Sequence, residues 1–287
     1  MFENIIGNNN VKQELKQAVK LNKFSHSYLF MGKEGIGKKL FAKEFANEIL
    51  TPKNALKIDL ENNPDFTFIK PEGTSIKIEQ IRQMQKKIIE APIRAEKKVY
   101  IIDDADLMTR EAQNCLLKTL EEPPEFAIII LIGAIESNFL NTIKSRCMII
   151  KFQNISNEDI KKYLKEKYNI TNISENMLDI FGGSIGKAEN LKEKSELYNI
   201  IASLLENIQK LDFIDFLKSA DILYKSQDDK NDILDGINVL LLKNSKQDIR
   251  FLNCIEIVED TKKRLNANGN YNMCIDNMLF KIWEEMH

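Results

Sequence analysis

Residues 32–39 read Gly-Lys-Glu-Gly-Ile-Gly-Lys-Lys, a spacing suited to holding phosphate. In the pattern G-x-x-x-x-G-K-[ST], glycines let successive backbone N–H groups curl around phosphate oxygens, and the helix that follows adds partial positive charge. Gly32, Gly37 and Lys38 fit this pattern, Gly35 lies inside the loop, and Lys38 is the residue that would reach the β- and γ-phosphates. The last position departs from it: Lys39 stands where Ser or Thr would ligate Mg²⁺. An ammonium offers no lone pair to a metal and repels it. Two uses of the loop stay open, a metal-free seat for ATP or ADP and a turn that serves only as scaffold. The scaffold turn is the plainer of the two, and hydrolysis fits neither.

A second acidic motif points the same way. Val99-Tyr100-Ile101-Ile102 runs into Asp103-Asp104-Ala105-Asp106. Asp103 falls where an aspartate after a strand would hold the Mg²⁺ water shell. Asp104 stands where a glutamate would polarise the attacking water, and it is one methylene shorter. Misplacing a catalytic group by about 1 Å can cost ~100-fold in rate. The alternative is an ordinary solvated acidic turn.

The elements that must position these residues follow from periodicity. Val11, Leu15, Ala18 and Val19 form a helical stripe, Tyr28–Met31 a short buried strand, and residues 38–50 a helix, so the glycine loop sits between strand and helix. Further strands are expected at residues 66–69, 99–102, 127–132 and 148–152. Helices are expected at 78–90 and 110–120, the latter stopped by Pro123-Pro124. The run Ala127–Ile132 is apolar throughout, as a central strand buried on both faces would be. Alternating strands and helices imply a parallel α/β sheet. Beyond Phe152 the strand signal stops. Ser156 and Asp159 look like a capping pair, Gly182-Gly183 breaks one helix, and a new one is expected from Lys187 onward. Three parts are therefore expected: an α/β domain over 1–153, a small helical domain over 154–193 and a helical domain over 194–287.

Composition excludes several classes. A net charge of −2 is not that of a polycation built to grip DNA unaided. The four cysteines include no C-x-x-C pair, so no metal or redox site is expected. The opening MFENIIGNNN has no charged stretch followed by an apolar run, and no apolar run is of membrane-spanning length; a cytoplasmic location is expected.

Two segments carry a more specific likeness. Residues 111–124, EAQNCLLKTLEEPP, and Ser145-Arg146-Cys147 resemble the A-x-N-A-L-L-K-x-L-E-E-P-P and S-R-C motifs of bacterial DNA polymerase III clamp-loader AAA+ subunits. Phe2-x-x-Ile5-Ile6-Gly7, His26-Ser27-Tyr28-Leu29-Phe30, Ile78-Glu79-Gln80-Ile81-Arg82 and Gly183-Ser184-x-Gly186-Lys187-Ala188 are similar to other motifs of that family. The likeness covers about 1–190; the tail agrees in length and helical character only.

The resemblance implies an AAA+ P-loop domain, a helical lid and a helical collar. It also implies a pentameric ring with gamma/tau and delta subunits, which loads the beta sliding clamp onto primed DNA as part of the polymerase (nucleotidyltransferase) holoenzyme. It makes Arg146 an arginine finger offered to a neighbour's ATP, a role worth about 10³–10⁵ in rate. Lys187 falls at the second sensor, where the family usually has Arg, so a phosphate contact and a solvated helix lysine are both open. The active gamma/tau type has an intact phosphate loop, an Asp-Glu pair, a polar first sensor and zinc-binding cysteines. Here Lys39, Asp104 and Gly133-Ala134 replace the first three, and Thr51 to Asn63 holds no Cys or His, so no zinc is expected. The three catalytic losses imply the delta-prime type, which needs no nucleotide of its own and has no ATPase activity alone. An active gamma/tau-type subunit or another AAA+ motor is the alternative.

Overall fold

The computed structural model describes residues 1–52, 58–210, 212–219 and 221–287. The chain divides into two compact units, Met1–Asp159 and Ile160–His287.

The first unit carries every strand found among the described residues. In chain order its elements are α1 (Asn9–Leu21), β1 (Ser27–Met31), α2 (Lys38–Leu50), β2 (Phe66–Ile69), α3 (Ile78–Ile88), β3 (Lys98–Ile102), α4 (Arg110–Glu121), β4 (Ala127–Gly133), α5 (Asn141–Lys144) and β5 (Met148–Lys151). The five strands form one sheet in the order β2-β3-β4-β1-β5, and every pairing is parallel. All five expected strands are present, with ends shifted by a residue: β1 and β3 start one earlier, β4 extends to Gly133, and β5 stops before Phe152. The helix expected to reach Glu90 ends at Ile88.

Side chains alternate across the strands and build a core on each face. Tyr28, Phe30, Val99, Ile101, Ile128, Ile130 and Ile132 face one cluster with Phe41 and Phe45 of α2. Leu29, Met31, Tyr100, Ile102, Ile129 and Leu131 face the other with Ile81, Met84 and Leu116 of α3 and α4. All seven residues of β4 are buried, as a central strand covered on both sides requires. Phe2 of the opening motif is part of this core: its ring lies 5.0 Å from that of Phe41, which lies 5.0 Å from Phe152. This aromatic row seats α2 and hence the loop before it.

The second unit is helical. The division falls in the first turn of α6 (Asn157–Tyr168), whose start is capped by Ser156, its Oγ accepting from the Asp159 amide at 3.1 Å. There follow α7 (Glu175–Phe181), α8 (Ile185–Glu189), α9 (Leu191–Asn207), α10 (Phe213–Ser219), α11 (Asp221–Lys225), α12 (Lys230–Asn244), α13 (Arg250–Asn266) and α14 (Tyr271–Met286). The helix after the Gly182-Gly183 break starts at Ile185, two residues before Lys187, because Ser184 caps it and accepts from the Lys187 amide at 3.2 Å. α12 packs against α7, α9 and α13. The stripe Tyr271, Ile275, Met278, Ile282 and Met286 of α14 is buried throughout. Among the described residues no helix is long and apolar enough to cross a membrane.

One buried carboxylate fixes the approach to β3. Asp65, 1% exposed, accepts from the amides of Ile93 (2.7 Å), Arg94 (2.6 Å) and Ala95 (2.8 Å). Burial pushes its carboxyl up, but the three amides outweigh burial and hold it below its ordinary value. The stabilisation is therefore full above the unfolded-state value of about 3.9 and is lost as pH falls through the lower folded-state value. Asp65→Asn is expected to lower stability by about 2 kcal/mol at neutral pH. The deficit is expected to shrink below about pH 4, as the unfolded chain's carboxylate takes up its proton first and the folded one follows at lower pH; urea unfolding at neutral pH and below pH 4 measures both effects.

Candidate functional site

Parallel pairing brings the carboxyl ends of β1, β3, β4 and β5 to one edge of the sheet, the edge at which such sheets bind ligands. The glycine loop leaves β1 there. The Gly32 amide donates to the Gly133 carbonyl at 3.3 Å, tying the loop to the end of β4. A Cβ on Gly32 would lie 2.8 Å from the Phe152 carbonyl oxygen, so only glycine passes between β1 and the end of β5. Gly35 (φ 74°) and Gly37 (φ 95°) turn the loop into α2. The loop thus has the backbone form of a phosphate cradle.

Lys38 and Lys39 do different things. Lys38 is buried and its Nζ donates to the Gly32 and Lys33 carbonyls at 2.6 and 2.7 Å, so it braces the loop from inside. Burial is the largest influence on its ammonium and lowers its pKa, against the pull of Asp106, Glu34, Asp104 and Asp103. Lys39 turns outward and across: its Nζ lies 2.8 Å from Asp103 Oδ2 and 4.9 Å from the centre of the Phe68 ring. Asp103 and Lys39, the two positions that would share a magnesium ion, hold each other instead. This donor set does not fit Mg²⁺, which takes oxygen ligands at about 2.0–2.1 Å in a near-octahedral shell.

The neighbouring acids are also committed. Asp104 takes a left-handed backbone (φ 47°) to start the short 3₁₀ turn Ala105–Leu107. Its pKa is raised, first by burial, then by Asp103, Asp106 and Glu34. Asp106 accepts from the amides of Ala134 and Ile135 at 3.2 and 3.0 Å. The first-sensor position is filled by packing: a Cβ on Gly133 would meet the Phe139 ring at 2.5 Å. No side chain at Gly133 or Ala134 can orient a water.

Arg146 follows α5. Its Nη2 pairs with Glu121 Oε1 at 2.7 Å and its Nη1 donates to the Thr142 carbonyl at 2.9 Å. Glu121 is part of the LLKTLEEPP segment, so the two sequence motifs meet in space through this ion pair. Gln113, three residues before that segment on α4, is buried. Its Nε2 donates to the Met108 and Asn138 carbonyls at 3.2 and 2.8 Å, and its Oε1 accepts from the Leu140 amide at 2.9 Å, which fixes the approach to α5. Cys147 packs against the α3–α4 core cluster, and burial pushes its thiol up to about 12, so it is not a thiolate nucleophile at neutral pH.

Residues 7–156 match the protein family described as DNA polymerase III, delta subunit, a little over half of the chain. The chain belongs to the clamp-loader family of DNA polymerase III. It is 36% identical over 167 residues to a DNA polymerase III subunit delta' of Bacillus subtilis, covering 55% of this chain and 51% of that protein. It is 34% identical over 175 residues to a DNA polymerase III subunit gamma of Buchnera aphidicola, covering 57% and 48%. The chain thus spans about half the length of the curated relatives it matches. The crystal structure of a gamma subunit-related protein from Thermotoga maritima shares the fold, with a TM-score of 0.59 at 20% identity over 95% of this chain and 99% of that one.

Within this clamp-loader fold the sequence-derived site residues separate into groups. Gly32, Gly35, Gly37, Lys38, Lys39, Asp103 and Asp104 converge at one end of the sheet. Arg146 lies in the same unit beside Glu121. Lys187 lies in the helical unit, where its Nζ pairs with Asp232 at 3.1 Å rather than facing solvent alone. His26 is structural, its Nδ1 3.3 Å from the Ala127 carbonyl. Of the segment Thr51 to Asn63, residues 53–57 lie outside the described residues. Sequence reasoning missed Asp106, Gln113 and Glu121; the third acid of the Asp103–Asp106 run and the polar positions of the 111–124 motif were the available signals.

Restoring a polar residue at the sensor position tests the packing. Gly133→Asn is expected to destabilise the chain by about 1–3 kcal/mol through collision with Phe139. Adding Phe139→Ala is expected to show a favourable coupling in a double-mutant cycle measured by denaturation.

Proposed function

We propose that this chain is a clamp-loader subunit of the delta-prime type. It does not hydrolyse ATP, needs no nucleotide of its own, and offers Arg146 to the ATP site of an adjacent subunit. The observation that carries this reading is a contrast. The chain's own catalytic positions hold Lys39, Asp104 and Gly133, which serve pairing, turning and packing. Arg146 keeps its guanidinium at the surface, where it meets one carboxylate, that of Glu121, together with the Thr142 carbonyl and the Ser145 hydroxyl. A planar, permanently charged guanidinium just after a short, well-anchored helix suits a γ-phosphate.

The partners in this reading are gamma/tau and delta subunits in a pentameric ring, with the beta sliding clamp and primed DNA reached through the assembly. Residues 154–193 act as lid and 194–287 as collar. The competing reading is a self-sufficient ATPase of gamma/tau type, favoured by the presence of Lys38 and Asp103.

Two measurements separate these readings. The purified chain is expected to show no turnover above background, and sustained ATPase by it alone would favour the gamma/tau type. In a reconstituted loader, Arg146→Ala is expected to leave assembly intact while lowering clamp- and DNA-stimulated hydrolysis by about 10³-fold. An unchanged rate in that assembled complex removes the finger role.

A further inference from the structure

The mismatch between this phosphate loop and Mg²⁺ has a definite form. Four carboxylates, Asp103, Asp104, Asp106 and Glu34, act on the buried Lys38. A phosphate loop with such acids beside it ordinarily gains its balancing charge from a divalent cation held between the loop hydroxyl and the aspartate after the strand. Here the loop position holds Lys39, and its ammonium sits 2.8 Å from Asp103 Oδ2. The Asp103 side chain is 10% exposed and that of Lys39 51%, so the acid is sheltered and the lysine reaches it from the open side of the loop. The Phe68 ring, 4.9 Å from the same ammonium, closes another side of it.

We propose that the Lys39 ammonium is a covalently tethered replacement for the divalent cation of this loop: it occupies the cation position on Asp103, supplies the balancing charge, and shuts Mg²⁺ out. An Mg²⁺ ion held at Asp103 through its water shell would meet the ammonium already on that oxygen, a like charge that offers no oxygen. The tether also joins the start of α2 to the end of β3, a link that a metal and a nucleotide jointly supply in an active loop. The loop can therefore hold its shape with neither bound. Lys38 agrees with this arrangement, since its Nζ is satisfied by the loop's own carbonyls. The inference deepens the non-hydrolysing reading of the loop and is independent of Arg146, so each can fail without the other.

The test uses the purified full chain with Mn²⁺ as an EPR-visible stand-in for Mg²⁺ and ADP as the polyphosphate. Free Mn²⁺ is followed by its EPR signal, and the fold by circular dichroism. The wild type is expected to take up no Mn²⁺ with ADP. Lys39→Thr and Lys39→Ser restore a hydroxyl at a half-exposed side chain and are expected to bind Mn²⁺ with ADP at least about tenfold more tightly than wild type. Adding Asp103→Asn to either variant is expected to abolish the gain. Three outcomes overturn the proposal: metal uptake by wild type equal to that of the variants, no gain in either folded variant, or a gain that survives Asp103→Asn. Failure of both variants to fold even with Mg²⁺ and ADP present overturns it as well, because a metal must then be unable to stand where the lysine stood.

Discussion

Strand β1 is hydrogen-bonded on both edges, to β4 and to β5, and the geometry of the first unit hangs on that double pairing. It leaves the glycine loop no room except between Gly133 at the end of β4 and Phe152 after β5. Parallel pairing then delivers the acids after β3 to the same edge. The aromatic row Phe2, Phe41 and Phe152 holds α2 against this arrangement, so the amide cradle is set by hydrophobic packing and not by a ligand. A P-loop whose shape is fixed in this way can lose its catalytic groups one at a time without losing its form.

Charge explains why those losses are mutually consistent. Buried or half-buried carboxylates need a counter-charge or hydrogen-bond donors. Asp103 has Lys39, Asp106 has two backbone amides at the end of β4, and Asp65 has three before β3. Asp104, with the least support, is the one whose pKa rises. The acidic run is thus largely satisfied by the protein itself, the opposite of a site that waits for a metal.

The sheet was legible because its signals are local. Short β-branched runs such as Ala127–Ile132 and Val99–Ile102, each followed by a turn residue, have one sensible reading, and the glycine spacing between β1 and α2 has few others. What resisted reading were pairings between distant positions. Lys39 with Asp103 and Arg146 with Glu121 each join residues from different elements, and no periodicity announces such a meeting. Gln113 looked like any polar residue on a helix until three backbone groups were found on it. In the helical unit the break at Gly182-Gly183 was plain. The helix start was not, because Ser184 acts as its cap only in the context of the turn before it. Lys187 drew attention through its motif, yet its partner Asp232 lies in a stretch with no motif at all.

The Arg146–Glu121 pair sets a threshold. A guanidinium resting on a carboxylate is already ordered and already matched in charge, so another anion gains it only by exchange. Chloride, or a passing surface carboxylate no better placed than Glu121, leaves it where it is. A dense, multiply charged oxyanion in register with the guanidinium can take over. In the proposed finger role Glu121 is thus the group that a neighbour's phosphate would displace, and it sits in the same short segment that shapes α4.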